Sequence, residues 1–113
     1  MERRPPLSAY RGMWLLAMFD LPVDTAAARR RYTRFRKGLL RDGFTMLQFS
    51  VYGRYCANEE ASLVHRRRVR ELLPPQGEVR LVSITDKQFG KMEIYRGKKR
   101  EKAERPPLQL ELF

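Results

Sequence analysis

Asp20 is placed where a carboxylate could do chemistry: it ends the apolar run Met13-Trp14-Leu15-Leu16-Ala17-Met18-Phe19 and is followed at once by Leu21-Pro22. A run of this kind, bounded by Gly12 and Pro22, predicts a strand buried on both faces, because an amphipathic helix would interrupt it with polar residues. The carboxylate then emerges where backbone leaves the core, within reach of a ligand. Two such carboxylates meeting across a two-fold axis would suit Mg²⁺, a hard cation that takes oxygen ligands, keeps several waters and can activate one against a phosphodiester. An aspartate before Leu-Pro also stabilises a turn on its own account. The residues alone therefore leave Asp20 open between a metal-binding, catalytic position and a turn residue.

Positive charge is the second signal. The 113 residues carry 24 Lys and Arg against 13 Asp and Glu, a surplus of +11 that creates a surface field favouring polyanions. Nucleic acid is the leading partner, with an acidic protein or simple solubility as the alternative. Arginine outnumbers lysine, and its planar fork suits bidentate phosphate contact.

These groups need elements to position them. Asp24 or Thr25 can cap a helix that begins near Ala26 and stops at Asp42-Gly43. Within it Ala28, Tyr32, Phe35 and Leu39 form an apolar stripe, and Arg30, Arg34, Lys37 and Arg41 repeat the same spacing on another face. Alone, that basic stripe reads equally as a solvated surface. Phe44 to Cys56 is aromatic and β-branched throughout and too long for one strand, so two strands with a bend around Phe49 to Tyr52 are expected, with Gly53 as a bulge. Asn58-Glu59-Glu60 opens a second helix that ends before Pro74-Pro75. On it His65, Val69 and Leu72 share the core side, and Arg66, Arg67 and Arg70 another face. The single histidine has no second metal-type ligand nearby and reads as structural.

Glu78 to Thr85 alternates as a strand, Asp86 to Gly90 reads as a turn, and Lys91 to Arg96 as a further short strand. Residues 98–107 are charged and proline-terminated, a linker, after which Leu108, Leu110 and Leu112, with Phe113, form an alternating tail that docks as a strand or else is a frayed end. Residues 1–12 make an extended arm, leaving 13–97 as the single domain. The lone Cys56 excludes an intrachain disulfide, and no apolar segment approaches the ~20 residues that span a bilayer, so the chain reads as a soluble cytoplasmic protein without a signal peptide.

The order strand, helix, strand, strand, helix, strand predicts an α+β, ferredoxin-like fold: a four-stranded antiparallel sheet with both helices on one face and extra C-terminal strands. The face left bare calls for a second copy, giving a homodimer packed through the sheets, with the strand at 91–96 crossing to the partner. RNA-binding sheets share this order, but their glycine-aromatic strand motif is absent, so the sheet reads as an assembly surface.

Three segments go further. Phe19-Asp20-Leu21-Pro22, Gln48-Phe49-Ser50-Val51-Tyr52 and Ile84-Thr85-Asp86-Lys87-Gln88-Phe89, in this order and spacing over residues 13–97, resemble the second of the two universal CRISPR-associated spacer-acquisition proteins. The run Gly43-Phe44-Thr45-Met46-Leu47-Gln48 is most similar to the subtype with a single large effector nuclease. The resemblance implies a symmetric dimer that bridges two dimers of the spacer integrase and holds double-stranded protospacer DNA on its basic surface. It also implies a magnesium-dependent endonuclease activity of some members on RNA or double-stranded DNA, with the aspartate matching Asp20 contributed by both subunits. Arg29 and Arg31 are the nearest counterparts of arginines implicated on the first helix, whereas Met46 stands where some relatives carry a basic residue. Spacer acquisition is thus the expected role. Arg30, Arg34, Lys37, Arg66, Arg67 and Arg70 are expected to hold phosphates without reading sequence, and the tail to contact the integrase.

Overall fold

The computed structural model describes residues 12–107, so most of the N-terminal arm, and the tail with Leu108, Leu110, Leu112 and Phe113, lie outside the described residues. Strand β1 (Met13–Asp20) leads into helix α1 (Ala26–Arg41), strands β2 (Thr45–Gln48) and β3 (Val51–Cys56), helix α2 (Glu59–Leu72), strand β4 (Glu78–Thr85), helix α3 (Asp86–Gly90), and strands β5 (Ile94–Arg96) and β6 (Lys99–Glu101). The first four strands form one antiparallel sheet in the order β2-β3-β1-β4, the ferredoxin-like arrangement.

The apolar run takes an interior place in the sheet because both of its faces are covered. Successive side chains alternate: Leu15, Ala17 and Phe19 enter the core beneath the helices with Phe35, Leu39, Tyr52 and Val69, while Trp14 and Leu16 point the other way and pack with Phe89. The same alternation turns Asp20, which is exposed, towards the face without α1 and α2.

Both long helices begin as their caps dictate. The Thr25 hydroxyl accepts from Ala28 N at 3.0 Å and the Asn58 side chain from Ala61 N at 2.8 Å. Gly43, at φ +92, lets the chain leave α1. Inside α1, Gly38 is a close-approach glycine: a Cβ there would stand 2.7 Å from Leu72 Cδ2 of α2.

Several local expectations are corrected. The bulge lies in β2 between Met46 and Gln48, and Gly53 sits in regular register; its missing side chain leaves room for Leu47 and Leu16, whose methyls would be 2.9 and 3.2 Å from a Cβ. Asp86 to Gly90 is a one-turn helix because Thr85 and Gln88 form a capping box, each side chain accepting from the other's backbone N–H at 3.0 and 2.9 Å. The strand expected at 91–96 is confined to Ile94–Arg96 and pairs with Lys99–Glu101, inside the stretch read as linker. Gly97 at φ +63 makes the two-residue turn between them. The sheet face expected to be bare is partly covered by this same chain, since Phe89 and Ala103 pack with Trp14, Leu16, Leu47, Tyr55 and Ile84.

Candidate nucleic-acid interface

The periodicity of α1 brings its cations together. Arg29, Arg30, Arg34, Lys37 and Arg41 line one shallow groove along the helix, with Ala26 and Thr33 between them. Arg30, Arg34, Lys37 and Arg41 have no carboxylate partner among the described residues, and α1 contains no acidic residue at all. Arg29 is held at the groove's entrance, donating from Nη1 to Val23 O at 3.1 Å. Like charges gathered without counter-charge on one helix repel each other, which makes the groove a place where an anion is stabilised.

Other sequence-named arginines are placed differently. Arg31 is half-buried and lines a separate cleft with Glu71 and Pro74 between the helices. On α2, Arg67 and Arg70 are exposed, but Arg66 is turned towards the sheet, where Nη2 donates to Ser83 Oγ at 2.7 Å. Its guanidinium is therefore taken up at the margin of the sheet, about 100° round the helix from Arg67, although a spacing of four residues keeps it within about 40° of Arg70.

His65, read from the sequence as structural, has a specific partner far from it in the chain. His65 Nδ1 lies 2.7 Å from Asp42 Oδ2, and Arg68 donates from Nη1 to Asp42 Oδ1 at 2.8 Å. Arg54 Nε donates to the Asp42 carbonyl at 3.0 Å. Asp42, the residue that ends α1, thus ties that helix to β3 and α2 and fixes how the two basic helices lie together. The two residues stand 23 positions apart, so no local pattern marks the pair.

Asp20 occupies a corner made by two turns. Phe19 N donates to Ser50 O at 3.0 Å, which sets the β2–β3 turn beside it, with Phe49 81% exposed. Gly77, at φ +95, brings the α2–β4 loop against the Asp20 carbonyl, 2.8 Å from where its Cβ would lie. Across the β1–β4 ladder Asp20 is paired with Glu78, which Arg80 engages at 3.1 Å. The donor chemistry is right for a hard cation, but among the described residues no group of three His, Cys, Asp or Glu could hold a metal ion. The described residues of this chain supply at most part of such a site.

On the same side of the sheet the segment 84–89 has a structural reason for its residues. Trp14 Nε1 donates to Asp86 Oδ1 at 2.9 Å and the indole stacks on Phe89 at 4.0 Å between centroids. Burial and then the charge of Asp86 raise the Tyr55 pKa beside this stack. At the end of β3 burial pushes the Cys56 thiol up to about 11. That thiol is a packing group, not a nucleophile.

Fold and surface together define a small ferredoxin-like α+β protein with a cationic helix groove and a carboxylate at the end of an interior strand. The family model for CRISPR associated protein Cas2 matches residues 13–92, the whole of the main sheet and its helices. The chain belongs to the Cas2 family of CRISPR-associated proteins. It is 56% identical over 101 residues to the CRISPR-associated endoribonuclease Cas2 of Parvibaculum lavamentivorans, covering 89% of this chain and 100% of that one. Its identity to the protein of the same name from Flavobacterium psychrophilum is 50% over 112 residues, 99% of this chain and 97% of that one. The corresponding protein of Paracidovorax avenae is 43% identical over 107 residues, 95% and 99% of the two chains. Among the described residues no helix is long and apolar enough to cross a membrane.

Proposed function

We propose that this protein serves spacer acquisition in the cytoplasm as a homodimer that grips double-stranded protospacer DNA and bridges the spacer integrase. The observation that carries the reading is the α1 groove, where four exposed cations stand without counter-charge. Phosphate contacts of this kind position a duplex without reading its sequence. Arg67 and Arg70 extend the cationic surface on α2, and Asp42 keeps the helices in register with each other. The partly covered sheet face, where Val82 is exposed, is the surface for the second copy, and Leu108 to Phe113 the segment for the integrase.

Salt dependence tests the reading. Neutralising six to ten phosphates should weaken binding ~10³ to 10⁵-fold between 50 and 200 mM salt. Replacing Arg30, Arg34 and Lys37 by Ala should flatten the plot of log affinity against log salt by about 2 to 3. Binding that ignores both salt and these substitutions would reject a phosphate grip.

A second reading, Mg²⁺-dependent endonuclease action on RNA or double-stranded DNA, is favoured by the exposed Asp20 at the end of β1 and by the endoribonuclease names of the relatives. Asp20 of each copy would hold the ion, which would supply an activated water. Asp20→Ala should abolish metal-dependent cleavage and leave duplex affinity within about twofold, since phosphate contacts carry the binding. Undiminished cleavage would remove Asp20 from the chemistry.

A further inference from the structure

Phe49 is 81% exposed, more than any other large apolar side chain among the described residues. A single apolar residue on a surface is ordinary, but this one is held there by its backbone. Phe49 and Ser50 alone join β2 to β3. Ser50 N donates to Gln48 O at 2.9 Å, a three-residue turn centred on Phe49. Ser50 itself stands at φ +143, in the region that favours glycine, and among the described residues no other non-glycine residue has a positive φ. Its carbonyl accepts from Phe19 N at 3.0 Å, which ties the turn to the end of β1. Strain of this kind persists only where the surroundings over-determine the backbone, and here they leave the ring fixed in water.

The turn stands where the Asp20 corner meets the α1 groove. The bond from Phe19 to Ser50 sets it next to Asp20. A little further along the chain the carbonyl of Val23 accepts from Arg29, which lines the groove's entrance. A strand held by its phosphates along Arg41, Lys37, Arg34 and Arg30 therefore leaves the groove towards the corner that carries Phe49. Gln48, Ser50 and Asp20 around the ring are polar. A stable protein partner needs a broad apolar patch about such an anchor. A nucleobase instead offers one flat face of matching size, and stacking on an aromatic ring tolerates any sequence. Bases inside a duplex are already stacked on both sides, so only an unpaired one, in a single-stranded extension or at a frayed end, has a face to give.

We propose that Phe49 is a stacking platform for one unpaired nucleobase, placed so that a strand gripped along the α1 groove lays its first unpaired base on the ring beside Asp20. This inference rests on the phosphate-grip reading and adds a ligand class to it: a nucleic acid with an unpaired end is held better than a blunt duplex. The fixed turn presents the ring without an ordering cost on binding.

The test uses the full chain and two DNA probes of equal duplex length, one blunt and one with a short single-stranded extension carrying 2-aminopurine, whose fluorescence falls when it stacks. Phe49→Ala, Phe49→Tyr and R30A/R34A/K37A are compared with the parent over a range of salt. With the parent and Phe49→Tyr, binding should quench the extension and favour the extended probe by about 5-fold or more, the worth of one stacked base. Phe49→Ala should lose the quench and that preference, yet keep the affinity and salt slope for the blunt probe. The α1 triple should weaken both probes and flatten the slope. If Phe49→Ala quenches and binds the extended probe as the parent does while the α1 triple flattens the slope, the platform is overturned and the groove stands. Equal losses on both probes in Phe49→Ala, or its sedimentation as a smaller species than the parent, would show the ring covered by a second copy and would overturn the platform too. A quench that depends on Phe49 in a protein whose binding ignores salt would leave the platform and overturn the phosphate grip. Neither quench nor salt dependence would overturn both.

Discussion

Removing the Asp42 carboxylate should loosen the protein more than any other change to a charged surface group, because two partners converge on it. In Asp42→Ala the contact to His65, whose two side chains are 12% and 9% exposed, is lost and leaves a largely buried imidazole unpaired. A hydrogen bond to a charged group in such a place contributes about 1.5–3 kcal/mol. The Arg68 bridge adds less, about 0–1 kcal/mol, because its side chain is 57% exposed. Together about 2–4 kcal/mol should disappear, which for a chain of this size lowers the melting temperature by roughly 8–16 °C. The assay is thermal unfolding followed by circular dichroism on Asp42→Ala, His65→Ala, Arg68→Ala and the two double variants. The Asp42 and His65 substitutions should couple by more than about 1 kcal/mol, and those of Asp42 and Arg68 by less. Melting within about 2 °C of the parent, or stronger coupling to Arg68 than to His65, would refute the assignment of Asp42 as the clamp between the helices.

Three further substitutions probe the core. Phe89→Leu removes the parallel stack on Trp14 and should cost about 1 kcal/mol and change the near-ultraviolet signal of the single tryptophan, whereas Phe49→Leu on the exposed turn should leave both unchanged. Gly53→Ala forces a methyl towards Leu47 and Leu16 and should cost about 1–2 kcal/mol by urea unfolding. For Cys56 the folded thiol pKa lies above its ordinary value, so between about pH 9 and about 11 the unfolded chain has lost a proton that the folded one keeps. Stability should therefore fall as pH rises through that window, and Cys56→Ala should flatten the fall.

The order and type of the long elements were legible in the sequence because each rests on a local signal. The unbroken run from Met13 to Phe19 announces an interior strand, Thr25 and Asn58 cap their helices, and the spacing of Arg30, Arg34, Lys37 and Arg41 puts them on one helix face, though it does not tell a groove from a solvated surface. All but one of the misses share one cause, contact between residues far apart in the chain. Asp86 to Gly90 was expected as a turn although Thr85 and Gln88 have the spacing of a capping box, the one local signal overlooked. Gly53 was taken for a bulge because its reason is the volume of Leu47 and Leu16, which only register reveals. Arg66 was grouped with Arg67 and Arg70 because nothing near it in sequence names Ser83 as its acceptor, 17 residues on. The pairing of Asp42 with His65 was invisible for the same reason.

Chemical footprinting of arginine and lysine side chains in the duplex complex, read by mass spectrometry, addresses the phosphate grip most directly. Arg30, Arg34, Lys37 and Arg41 should be protected together when duplex is added, while Arg68, already engaged by Asp42, keeps the reactivity it has in the free protein. Protection that spares the α1 groove would contradict the account.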